Sequence, residues 1–261
     1  MGQLPNTSEF VADLARSIGF LSRLPVPDRF FKGQSGSISR AVQAFPAAGL
    51  VIATLPAIAL FLLAPGDALT AGLIALTLLA LLTGALHEDG LADAADGLGG
   101  GRDKEHALVI MKDSRIGSYG VIALILSFGL RASALAALAR HEPAAAALAL
   151  LGAAAVSRAL MVWHWHALPS ARETGVAASA GLPETTARNV ALFMGVALAL
   201  VLLVLVLGLP KVLLSLIVAG ALCFGFTRYV RGKIEGHTGD TIGASQQLSE
   251  IGMLATLALA I

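Results

Sequence analysis

Hydrophobic positions in this chain come in long unbroken runs separated by short polar blocks. Six runs have spanning length, roughly 41–63, 68–86, 117–139, 144–163, 189–209 and 211–228. A helix rises about 1.5 Å per residue, so some twenty apolar residues cross a hydrocarbon core of about 30 Å. A seventh run, 251–261, is too short by that measure and is expected to enter only part way. Residues 8–24 are patterned differently. Phe10, Val11, Leu14, Ile18 and Leu21 fall near one face of a helix, and Glu9, Asp13 and Arg16 fall elsewhere, as in an amphipathic helix lying on a membrane surface. Leu-Pro-Val-Pro at 24–27 ends it, because proline lacks an amide donor and disfavours helix before it. The pattern therefore predicts an all-α fold, a polytopic membrane helix bundle with about 6–7 transmembrane segments and an N-terminal interfacial helix. No repeat or linker divides the chain, so 1–261 reads as one integral membrane domain, with 1–40 as a cytoplasmic or interfacial segment.

Composition agrees. Hydrophobic residues make up 56% of the 261, and charged residues only 13%, about half the roughly 25% of soluble domains. Mean hydropathy is +0.79. A soluble Ala/Leu-rich helical protein does not need so much apolar surface. The net charge of +1 gives no reason to expect a nucleic-acid partner. The single cysteine, Cys223, sits in an apolar run and reads as a small buried hydrophobe. The first forty residues hold no early apolar core segment, so no signal peptide is expected.

Basic residues orient the spans. With the N-terminus inside, the inner segments carry Arg16, Arg23, Arg29, Lys32 and Arg40; then Arg102, Lys104, Lys112 and Arg115; then Arg172 and Arg188; then Arg231 and Lys233. The outer loops carry only Arg140 and Lys211. Every polar block of interest then faces the cytoplasm.

The most informative block is His-Glu-Asp-Gly-Leu-Ala-Asp-Ala-Ala-Asp-Gly, residues 87–97. Asp89, Asp93 and Asp96 are spaced i, i+4, i+7 and share a narrow stripe of one helical face. Like charges at i, i+4 oppose a helix by about 0.2–0.5 kcal/mol per pair, so fold stability gives no reason for them. A solvated loop, an acidic helix start or ion pairing with nearby cations would be the structural explanations. The one-face spacing and the Asp-Gly pairs at 89–90 and 96–97 favour a divalent-cation site. Hard ions such as Mg²⁺ take carboxylate, phosphate and water oxygens, and two metals can clamp the attacking and leaving oxygens of a phosphoryl transfer. Glu88 points off the stripe and is kept as a ligand or outer-shell group. Gly-Leu-Gly-Gly-Gly at 97–101 is expected to end the helix in an open turn.

Downstream, Arg102, Lys112 and Arg115 are candidate phosphate partners, with Lys104 more typical of a solvated turn. Asp113 is a further candidate ligand or base, and Ser118 opens the next span, where free amides could face an anion. Residues 236–250, with His237, Asp240, Gln247 and Glu250, are expected to form a second wall of the site. Arg40, Gln43 and Pro46 open the first span. In Trp-His-Trp-His at 163–166, the tryptophans read as interfacial belt residues and the histidines as polar helix-end groups.

Taken together, Phe20–Pro27, Arg40–Leu50, His87–Gly101, Met111–Gly120 and Gly236–Glu250 resemble the cobalamin synthase family, also called adenosylcobinamide-GDP ribazoletransferases. The blocks keep the family's order across nearly the whole chain, and only 140–210 adds little beyond hydrophobicity. The resemblance implies a multi-pass bacterial inner-membrane enzyme that uses Mg²⁺. It would join adenosylcobinamide-GDP to α-ribazole or α-ribazole 5′-phosphate, release GMP, and act late in adenosylcobalamin assembly. Its expected catalytic set is Asp89, Asp93, Asp96, Asp113 and Asp240. The expected metal set is Glu88, Asp89, Asp93 and Asp96, and Arg40, Arg102, Lys112, Arg115, Ser118, His237 and Gln247 are the expected substrate contacts. The lipid bilayer is a necessary partner, and a homo-oligomer is left open. The acidic block also begins like the Asp-x-x-Asp-Gly-x-x-Ala-Arg pattern of CDP-alcohol phosphotransferases. Here arginine comes one residue late and the alanine is missing. A phospholipid-forming phosphotransferase is therefore one rival. A cation transporter is another, although acids at one side and the lack of a repeat fit transporters poorly.

Overall fold

Backbone in lipid has no water to bond, so long apolar runs fold as helices that satisfy their own polar groups. A computed structural model describes residues 7–31 and 38–261, with Thr7 and Val176 described by backbone alone. Its helices in chain order are α1 (Thr7–Leu21), α2 (Ile38–Ala41), α3 (Phe45–Leu63), α4 (Ala68–Thr83), α5 (Leu86–Gly100), α6 (Lys104–Ile110), α7 (Ser118–His141), α8 (Pro143–Ala167), α9 (Val176–Ala180), α10 (Thr185–Leu207), α11 (Leu209–Ile234) and α12 (Gly239–Leu259). Among the described residues the only β-type contact is one parallel bridge, Ser170 to His237. Lys32, counted above among the inner cations, lies outside the described residues.

Five helical stretches are long and apolar enough to cross a membrane: 38–63, α7, α8, α10 and α11. α4 and α5 reach that length and hydropathy only when taken together, and they are bent by 91° where they meet. The expected all-α polytopic bundle is thus the observed architecture. Leu205, Phe193, Val201, Leu81 and Ile217 stand on its outside, 67–94% exposed. Large apolar side chains in such number suit lipid and not water. α8 forms the centre. Ala145, Ala146, Ala149, Ala153, Ala154 and Ala155 are wholly buried, and these small side chains let neighbouring backbones approach. A Cβ on Gly49 would stand 2.5 Å from the Ala154 carbonyl oxygen, so α3 meets α8 backbone to backbone.

The run 68–86 is not one helix. Ala85 N–H donates to Ala80 O at 2.7 Å and Gly84 N–H to Leu81 O at 3.2 Å, with Gly84 at φ 64°. This Schellman ending reverses the backbone twist. Ala85 follows at φ 57°, a left-handed conformation that costs a non-glycine residue on the order of 1 kcal/mol. The double left-handed step turns α5 out of the direction of α4. We read α4 as the crossing limb and α5 as lying outside the spanning segments, at the polar end of the bundle.

The C-terminal part also differs from expectation. Residues 251–259 are not a separate short insert: they continue the 21-residue α12 that begins at Gly239. Thr238 caps it, accepting from Thr241 N–H while the Thr241 hydroxyl accepts from Thr238 N–H. Its first half is polar yet buried, including Thr241, Ser245, Gln246, Gln247, Ser249 and Glu250. Those groups bond within the bundle, which hydropathy along the chain cannot register.

α1 is a helix as its periodicity predicts, but its buried face includes Asp13, 3% exposed. Gln43 Nε2 donates to Asp13 at 2.6 Å and Arg16 at 3.1 Å, so the acid is satisfied inside rather than turned to water. Trp165 is 1% exposed and stacks on Phe20, so it is a core residue and not a belt residue. His164 is equally buried, between the hydroxyls of Thr227 (2.8 Å) and Thr241 (3.2 Å). Cys223 is buried and unpaired, as expected.

Candidate functional site

The acidic stripe lies on α5, but its three aspartates have different surroundings. Asp96 is buried and faces the start of α7. It accepts Gly117 N–H at 2.7 Å and Gly120 N–H at 2.9 Å, occupying both carboxylate oxygens with the free amides of that helix end. Asp89 is exposed at the rim of a cavity. Asp93 lies half-buried between them. Burial, then the charges of Asp89, Asp240 and Asp96, push its carboxyl up to about 6, and Arg172 pulls the other way.

Asp240 comes from the first turn of α12. A Cβ on Gly90 would stand 2.9 Å from the Asp240 carbonyl oxygen, so the glycine after Asp89 is what lets α12 approach α5. Asp240 pairs with Arg172 at 3.4 Å and accepts the Thr238 hydroxyl at 3.1 Å. Burial raises its carboxyl, and Arg172 and Thr238 counter the rise. Arg172 also donates to Leu108 O at 3.3 Å, while its buried Nε has no partner. Glycines 97–101 do not form a free turn. α5 runs to Gly100, and a Cβ on Gly97 would stand 2.8 Å from the Ala107 carbonyl oxygen, so the glycines let α6 pack on α5.

Beneath these groups lies a cavity of about 460 Å³. Asp89, Asp240 and Arg172 stand on its wall, with Phe20, Leu21, His87, Met161, Trp165 and Ile242 supplying apolar and aromatic surface.

Glu88 faces inward and meets Arg131 at 3.2 Å. Gln247 Nε2 donates to Glu88 at 3.1 Å, and Gln247 Oε1 accepts from Ser127 at 2.9 Å. Glu250 continues this buried network, with Arg131 at 3.1 Å and Arg158 at 3.4 Å. Two arginines and two glutamates thus balance inside the bundle, where an unpaired charge would be prohibitive. His237 is buried against the edge of Trp165, and neither ring nitrogen has a partner; burial pushes its imidazole down to about 4.

The expected phosphate contacts lie elsewhere. Arg115 and Asp113 form a bidentate pair on the α6–α7 connection, which holds Asp113 down at about 2. Arg102 is exposed beside Asp103, Lys112 and Ser118 are exposed, and Lys104 reaches Glu235 at 2.8 Å. Arg40 joins Glu9 at 2.5 Å and fastens α2 to α1. Sequence reading missed three residues. Arg131 and Arg158 carry a detectable sign, a charge inside an apolar run. Arg172, counted only as an inner cation, has none, because its partner is distant in the chain.

Among the described residues, no three His, Cys, Asp or Glu side chains already converge as a metal cage. The donor chemistry nevertheless fits a hard cation. Asp89 and Asp240 are close enough to Asp93 to oppose its ionisation, and oxygen donors completed by water and phosphate suit Mg²⁺. Asp96, with both oxygens on amides, and Glu88, with one oxygen on arginine, are differently engaged.

Fold and site together define a polytopic helical membrane protein with an acidic, arginine-bearing site over an apolar cavity. The chain belongs to the cobalamin-5-phosphate synthase family (CobS), whose model matches residues 13–258. Relatives named adenosylcobinamide-GDP ribazoletransferase include one from Rhizobium meliloti (strain 1021), 58% identical over 255 residues and covering 95% of this chain and 97% of its own. One from Sinorhizobium medicae (strain WSM419) is 57% identical over 97% of this chain and 98% of its own. A more distant one from Brucella anthropi is 42% identical over 97% of this chain and 99% of its own. No solved structure matches this chain.

Proposed function

We propose that this chain joins adenosylcobinamide-GDP to α-ribazole or α-ribazole 5′-phosphate with release of GMP, in cobalamin synthesis. The observation that carries this reading is the meeting of Asp89, Asp240 and Arg172, from three separate parts of the chain, at the wall of one cavity, with Asp93 near enough for the Asp89 and Asp240 charges to raise its carboxyl. Relatives bearing the transferase name cover the same length.

The ribazole hydroxyl oxygen bonds to the phosphorus next to the corrinoid arm, the bond from that phosphorus to the GMP phosphate breaks, and GMP keeps the electron pair. Arg172 offers its guanidinium to the pyrophosphate. Asp240 stands on the cavity wall and is placed to take the hydroxyl proton. Asp113, locked to Arg115 on the α6–α7 connection, is not so placed. Asp89 and Asp93 would hold Mg²⁺, which would neutralise charge on the phosphate oxygens. The inner loops carry most of the basic residues, which supports a bacterial inner-membrane protein with this end in the cytoplasm.

The test is purified protein in detergent or liposomes with adenosylcobinamide-GDP and α-ribazole. Cobalamin and GMP are expected in equal amounts with Mg²⁺ and neither with EDTA. Turnover of a CDP-alcohol into phospholipid without GMP release would overturn the reading.

A further inference from the structure

We infer that the cavity beneath Asp89 and Asp240 holds the fused bicyclic base of the acceptor nucleoside, and not the guanine or the corrin of the donor. The inference rests on the transfer reading above.

The first reason is the wall. Phe20, Leu21, Met161, Trp165 and Ile242 give the cavity much of its lining. Phe20 stacks between Phe45 (5.8 Å) and Trp165 (6.3 Å), so the aromatic surface is held rigidly. α9 contributes Ala177 and Ala178 to the lining. A volume of about 460 Å³ lies within the usual small-molecule range of about 300–1,000 Å³.

The second reason is a pair of unanswered polar atoms. Trp165 Nε1 and His87 Nε2 are buried without any partner, in side chains 1% and 2% exposed that both line the cavity. Buried polar atoms are nearly always satisfied, so each orphan asks for a ligand or a water. The indole N–H can only donate. A dimethylbenzimidazole is an apolar bicycle with one free ring nitrogen, and that nitrogen only accepts. It would cover the apolar wall and answer the indole.

Guanine fits poorly by the same rules. It carries an amino group and a ring N–H that call for a carboxylate, plus several acceptors. The carboxylates here, Asp89 and Asp240, lie together beside Arg172, where the phosphates and cation are placed above. Guanine against the apolar lining would leave several polar atoms unpaired, each a cost to binding. A corrin is ringed with amide side chains, which an apolar wall cannot satisfy. With the base inside, its ribose would lie towards Asp240, and the donor would approach from outside.

The test combines two substitutions with steady-state kinetics for both substrates. Ala178→Trp, on a half-buried position of α9, fills the cavity. It should raise the KM for α-ribazole by about tenfold or more, as steric loss in an apolar pocket does, and leave the KM for adenosylcobinamide-GDP within about twofold of wild type, which also reports that the variant is folded. Trp165→Phe keeps the ring and removes the N–H. It should raise the KM for α-ribazole by about three- to tenfold, the worth of one neutral hydrogen bond. The same variant should not discriminate against an indole riboside, whose base lacks the acceptor nitrogen, whereas wild type should. A rise confined to the donor KM in Ala178→Trp would overturn the assignment and place guanine there. Unchanged KM values for both substrates would overturn it as well. A wild-type protein that makes no cobalamin would instead defeat the transfer reading itself.

Discussion

Asp96 accepts the amide of Gly120 at 2.9 Å with one carboxylate oxygen and that of Gly117 at 2.7 Å with the other, so the last acid of the stripe anchors the start of α7. Asparagine has one acceptor oxygen in place of two. Asp96→Asn should therefore lower stability by about 1–2 kcal/mol, and the loss should be the same with and without Mg²⁺. Thermal melts of detergent-purified protein check this. A variant as stable as wild type would deny the anchoring role.

Asp93 should behave in the opposite way. Asp93→Asn keeps the size and removes a charge that Asp89, Asp240 and Asp96 oppose. It should abolish transfer, blunt the rise in melting temperature on adding Mg²⁺, and leave metal-free stability equal or higher. A ligand at a hundredfold excess over Kd stabilises by about 2.7 kcal/mol, and that is the scale of shift to look for in wild type. An active but destabilised variant would remove Asp93 from the metal set.

Asp93 also sets a pH signature. Its folded carboxyl is raised to about 6, above the usual carboxylate value near 4. The folded form binds the proton better, so this contribution is fully present below about pH 4 and is lost as pH rises through about 6. The melting temperature of metal-free wild type minus that of Asp93→Asn should fall across this window. Mg²⁺ competes with the same proton, so its stabilisation should grow from about pH 5 to 7. A pH-independent difference would contradict the crowding of carboxylates at this site.

Arg172 pairs with Asp240 at 3.4 Å. Arg172→Ala should cut kcat/KM by about tenfold or more and act chiefly through the pyrophosphate-bearing donor. Arg115→Ala should act less, because Arg115 is 87% exposed and paired to Asp113. Kinetics with each substrate varied in turn decide the order; a larger effect at Arg115 would reverse the assignment.

Glu250 neutralises Arg131 and Arg158, each 1% exposed. Glu250→Ala should cost about 3–5 kcal/mol, whether or not metal is present, because Glu88 stays with Arg131 and one buried positive charge is left uncompensated. Wild-type melting of the variant would show that the network is not needed for stability.

The chain by itself determined the class of fold. Spanning runs of Leu, Ala, Val and Ile have only one way to satisfy their backbone in lipid, and the i, i+4, i+7 aspartates needed nothing beyond helical geometry to share a face. Which groups meet was decided by tertiary structure. Arg172 and Asp240 are distant in sequence, and their pairing depends on α12 packing against Gly90. The left-handed pair Gly84–Ala85 separates α4 from α5 inside what reads as one apolar run. The polar half of α12 read in sequence as a wall of the site, and its place inside the bundle was not legible because hydropathy averages a side chain without its partner. Glu250 and Gln247 lie inside because Arg131, Arg158, Ser127 and Glu88 bond them there. Trp165 likewise shows in sequence only as an aromatic at a helix end; its burial follows from Phe20, a residue of α1, stacking on it. Local periodicity is a property of neighbours along the chain, whereas a site is a set of contacts across it.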